Sequence, residues 1–92
     1  MNSLEIAERV IEESGTNDPF AVASFYGIEV RIGRWHPVTF GEFERESLTV
    51  TINTAAPLDA KEILAHELGH YFLGPDGDED ACDDFARRLL RL

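Results

Sequence analysis

Residues 59 to 75 leave this chain little choice of local structure. Asp59 is a helix-capping residue and Gly74-Pro75 is a stop, so a helix should start at Asp59 or just before it and run to about Leu73. At the helical period, Ile63, Leu64, Leu68, Tyr71 and Phe72 share one apolar face. His66, Glu67 and His70 fall on the opposite side. Such a helix must pack on one side and present a titratable trio on the other. Gly69 costs about 1 kcal/mol against Ala in a helix interior, which points to close approach of another backbone.

The rest of the chain supplies the layer to pack against. Residues 3 to 14 read as a helix capped by Ser3, with Leu4, Ala7, Val10 and Ile11 as its apolar stripe. Asp18-Pro19 is a cap followed by Pro at the first helical position, opening a short helix to about Tyr26. Ile28 to Ile32 alternates apolar and polar, the mark of a half-buried strand. Val38 to Phe43, interrupted by Gly41, is a second strand. Leu48 to Ile52 is a third, with Leu48, Val50 and Ile52 facing inward. A last helix occupies 79 to 91. There is no repeat, low-complexity run or linker. The expectation is one α+β domain over residues 1–92, a small three-stranded sheet packed on the 59–73 helix with flanking helices.

Composition narrows the function classes. The chain has 92 residues, 43 % hydrophobic and 28 % charged, an ordinary globular balance. Eight Lys and Arg against 18 Asp and Glu give a net charge of −10, which argues against nucleic acid as a partner. One cysteine, Cys82, excludes an internal disulfide framework and suits a reducing compartment. No apolar run is long enough to span a bilayer, and Met1 to Glu5 lacks the basic start of a signal peptide. A cytoplasmic protein without a membrane partner is expected, of undetermined oligomeric state.

His66-Glu67-Leu68-Gly69-His70 is an HExxH. Two His at i and i+4 project from one helix face, so both imidazoles can reach a single zinc ion. Glu67 lies between them in angle, where it can take a proton from a zinc-bound water. Zinc needs a third protein ligand, and the acidic run from Asp76 to Asp84 holds the candidates. That run is not an EF-hand loop, because its sixth position is Ala81 and its twelfth Arg87. On the last helix Cys82, Phe85, Ala86, Leu89 and Leu90 form the buried face, with Glu79 inside it and Asp83 at its edge. An inward carboxylate needs a partner, so Glu79 is the first choice for the third ligand and Asp83 the second. Cys82 is a small hydrophobe in this setting, with zinc ligation the lesser expectation. Tyr71, Trp35, Phe40 and Phe43 fit core packing, and His36 fits a surface or packing role.

Four segments in order resemble the ImmA/IrrE family of metallopeptidases. They are Asp18-Pro19-Phe20 with Gly27-Ile28-Glu29-Val30; Leu48 to Asn53; Ala65 to Leu73; and Glu79 to Ala86 followed by Leu89-Leu90. The HExxH alone is common to many zincins, whereas the ordered set is more specific. The resemblance implies a reduced zincin fold, a small antiparallel or mixed sheet over an active-site helix. It implies His66 and His70 as zinc ligands, Glu67 as the base and an acid near Glu79 as third ligand. It also implies a protein substrate, a transcriptional repressor in particular. The expected activity is zinc-dependent peptide hydrolysis. The alternative is a non-catalytic zinc-binding regulatory or protein-interaction domain.

Overall fold

The computed structural model describes residues 2–33, 41–55, 58–75 and 77–91. Local signals set the helices. α1 (Ser3–Ser14) is capped not by Ser3, which is its first residue, but by Asn2, whose side chain accepts from the Glu5 amide at 2.9 Å. Gly15 ends α1 with φ at 73°, a left-handed conformation that glycine adopts without penalty. Asp18 caps α2 (Pro19–Phe25), and Pro19 gives up an amide that a first turn leaves unbonded anyway. Asp59 caps α3 (Ala60–Leu73), accepting from the Lys61 amide at 2.8 Å. Asp78 caps α4 (Glu79–Leu90) in the same way, through the Ala81 amide.

The strands are β1 (Glu29–Gly33), β2 (Gly41–Glu44) and β3 (Thr49–Asn53), in the order β1-β3-β2. β3 runs parallel to β1 and antiparallel to β2, with Val50 opposite Val30 on one side and Phe43 on the other. As the central strand, β3 is covered on both faces, and Thr49 and Asn53 are buried along with Val50 and Ile52. This is an α+β fold of four helices and a three-stranded mixed sheet.

Two strand expectations are corrected. Ile32 is 61 % exposed, because the cover over β1 ends before its last apolar position. Leu48 is not an inward strand residue. It closes the turn ahead of β3 at φ 50°, and β3 begins at Thr49. The expected second strand is found from Gly41 onward, while Val38 to Phe40 lie outside the described residues.

α3 packs against β2, β3, α2 and α4, and α4 packs in turn on α1. Leu64, Leu68, Phe85 and Leu89 are fully buried between them. Gly69 has the close neighbour its cost implies. A Cβ there would sit 3.1 Å from Cα and Cβ of Cys82, so the missing side chain sets how tightly α3 and α4 approach. Gly41 does the same for β2, since a Cβ would fall 2.6 Å from Cγ2 of Ile63 and 3.2 Å from Cγ of Glu67. No helix among the described residues is long and apolar enough to cross a membrane.

Candidate metal centre

Two helices packed together, α3 and α4, build the site. α3 carries His66, Glu67 and His70 on the side away from its packed face. The start of α4 brings Glu79 and Asp83 over them. The residues line a cleft of about 1010 Å³ whose remaining wall includes Gly41, Glu42 and Phe43 of β2.

One oxygen of the Glu79 carboxylate lies 2.8 Å from Nε2 of His66, and the other lies 3.1 Å from Nε2 of His70. Both imidazoles therefore turn the same nitrogen toward one carboxylate. Asp83 is on the far side of the first ring, 2.7 Å from Nδ1 of His66. The two acids that the sequence left as alternatives thus occupy different places. Glu79 shares the Nε2 side with both rings, and Asp83 partners the outer nitrogen of one. Glu79 is not on the buried face, however. Its side chain is 74 % exposed, because as the first residue of α4 it projects past the helix packing and faces the imidazoles rather than the core.

Glu67 is half-buried beside the pair. Burial pushes its carboxyl above the ordinary value, against the pull of His66 and His70, while Glu79 and Glu42 push it further up. Cys82 lies one turn along α4 with Sγ 3.5 Å from Nδ1 of His70, and its thiol is pushed up to about 11, first by burial and then by Glu79, Glu67 and Asp83. One nitrogen of each imidazole and the Cys82 sulfur lie within 4.8 Å of one another.

The donors fit zinc. Two imidazoles plus a carboxylate is a set that zinc accepts, with a position left open for water. An outer partner on the nitrogen of a ligating His that faces away from the metal is the common arrangement, and Asp83 stands there for His66.

Arg45 was not singled out by the sequence. Its Nη2 donates to the carbonyl of His70 at 2.9 Å, and its guanidinium sits over the Phe43 ring. That ties the turn after β2 to the last turn of α3. A lone Arg in a polar turn carries no periodic signal, so nothing in the sequence could reveal it. Tyr71 packs edge-on against Phe43 and Phe72, in keeping with a packing role. Phe43 also lines the cleft. Trp35, His36, Phe40 and Asp76 lie outside the described residues.

No protein-family model matches the chain, and comparison with curated proteins and with solved structures finds no match.

Proposed function

We propose that the chain is a zinc-dependent metallopeptidase of reduced zincin type, akin to the ImmA/IrrE family and acting in the cytoplasm on a protein or peptide. The observation that carries this is the convergence of both Nε2 atoms on the two oxygens of Glu79, with Glu67 in the same cleft. His66, His70 and Glu79 would hold the ion. When bound, zinc polarises the scissile carbonyl and lowers the pKa of its water to about 7.

The protein's own groups do the rest. Asp83 fixes the ring of His66 through Nδ1, so that Nε2 stays turned into the cleft. Glu67 accepts the proton of the attacking water and passes it to the leaving amine. β2 is hydrogen-bonded to β3 on one side and forms a wall of the cleft, so an extended peptide can align along it by strand addition. The resemblance names a transcriptional repressor as the protein substrate to try first. The acidic chain disfavours nucleic acid as a partner.

The test is metal content and peptide cleavage, measured together on wild type and Glu67→Gln. Wild type should hold one zinc and cleave. Glu67→Gln should keep the zinc and lose at least about 100-fold in rate, the lower range for a general base. Cleavage surviving in the variant sinks the role of Glu67. Wild type that takes up no zinc sinks the metallopeptidase, and zinc without turnover on any peptide leaves a non-catalytic metal domain.

A further inference from the structure

His70 has a second donor on its other side. His70 turns Nε2 toward Glu79 and Nδ1 toward Cys82, whose sulfur is 3.5 Å away. In a tetrahedral site with metal–sulfur and metal–nitrogen bonds of about 2.3 and 2.0 Å, neighbouring donors stand about 3.5 Å apart. The sulfur and the ring nitrogen already have that spacing. One nitrogen of His66 completes a group of three donors within 4.8 Å of one another, wider than a tetrahedral edge by about 1 Å.

The approach is built into the helix packing. The absent Cβ at Gly69 leaves room for Cys82, whose Cα and Cβ would be 3.1 Å and Sγ 3.3 Å from such an atom. Cys82 is thereby held at the level of His70, and it is fully buried.

We propose that His66, His70 and Cys82 form a second, soft donor set that takes up a thiophilic divalent ion through a Cys82 thiolate. On binding, the Cys82 S–H bond breaks, its proton passes to solvent, and a sulfur–metal bond forms. No electron is transferred. Both sets draw on His66 and His70, so the Cys82 and Glu79 sets are alternatives that compete for the histidine pair. Hardness decides between them, because thiolate favours soft ions and carboxylate harder ones. The inference shares with the zinc assignment only the histidine pair as metal donors. It needs neither Glu79 as a ligand nor hydrolysis.

Cadmium is the probe. The metal-free full chain is titrated with Cd²⁺, following thiolate-to-metal charge transfer in the ultraviolet together with metal stoichiometry. Wild type, Cys82→Ser, Cys82→Ala and Glu79→Gln are compared, with circular dichroism as the check on folding. Wild type and Glu79→Gln should both bind one Cd²⁺ and show the band. Both Cys82 variants should lose the band and bind Cd²⁺ more weakly than wild type by over tenfold, since losing a ligand exceeds the roughly 10–100-fold cost of losing an outer partner. The Cys82 variants should still hold zinc. Cadmium bound to wild type without the band overturns the proposal while leaving the zinc assignment standing. Cadmium affinity unchanged in a folded Cys82 variant overturns it too. Uptake of neither ion by wild type removes both.

Discussion

Asp83 and Cys82 are adjacent in sequence yet address different histidines. Asp83 reaches Nδ1 of His66 and Cys82 reaches Nδ1 of His70. A helical wheel gives the angle at which a side chain leaves its own helix, and that is why the sequence put Glu79 ahead of Asp83 without assigning either to a nitrogen. Which nitrogen each one meets depends on the crossing of two helices, which no single-helix period encodes. The pair His66 and His70, by contrast, was legible because i and i+4 is a local relation. Asp83 is 58 % exposed, so removing its carboxylate disturbs little packing. Asp83→Ala should weaken zinc binding by about 10–100-fold, the range for outer partners of metal ligands. Its metal-free melting temperature should stay near that of wild type. Competition with a chromophoric chelator measures the first and a thermal scan the second. Unchanged zinc affinity would mean that the His66–Asp83 contact does not persist once metal is bound.

The helices were readable element by element, because caps and stops are local. Asp18, Asp59 and Gly74 mark boundaries that the structure keeps. The strands were readable as strands, but not in their pairing or cover. Alternation in Glu29–Gly33 says that one face is apolar, not how far a neighbouring layer extends over it, and Ile32 is left in solvent. The order β1-β3-β2 likewise depends on which strand finds two partners. β2 has a constraint of its own. It crosses α3 so closely that residue 41 has no room for a Cβ beside Ile63 and Glu67. Gly41→Ala should therefore cost about 1–3 kcal/mol, as forced overpacking does. Peptide cleavage should fall further than stability does, since the strand that forms a wall of the cleft is lifted from the helix that carries Glu67. Urea unfolding and steady-state rates measured on the same preparation check this. An unchanged unfolding midpoint would mean that β2 shifts without cost.

At the scale of the whole chain, 92 residues enclose a modest core and carry a net charge of −10. An ion held between α3 and α4 would clamp the two helices that contribute Leu64, Leu68, Phe85 and Leu89 to that core. A ligand present at about 100 times its dissociation constant adds about 2.7 kcal/mol. For a chain of this size that amounts to roughly 10–20 °C in melting temperature. Chelation of the zinc-loaded protein should lower the melting point by this order, and adding zinc back should restore it. Identical scans with and without chelator would show that no ion bridges the helices. The placement of the donors also bears on how the chain reaches its native state. Seventeen positions separate His66 from Asp83, so the centre is assembled by closing one short helical hairpin. The parallel registration of β1 with β3 must instead bring Glu29 to Thr49 around an intervening strand. The two closures span similar lengths of chain, 17 positions against 20, and loop-closure entropy changes little over that difference. Gathering the donors therefore asks no more of the chain than pairing its sheet.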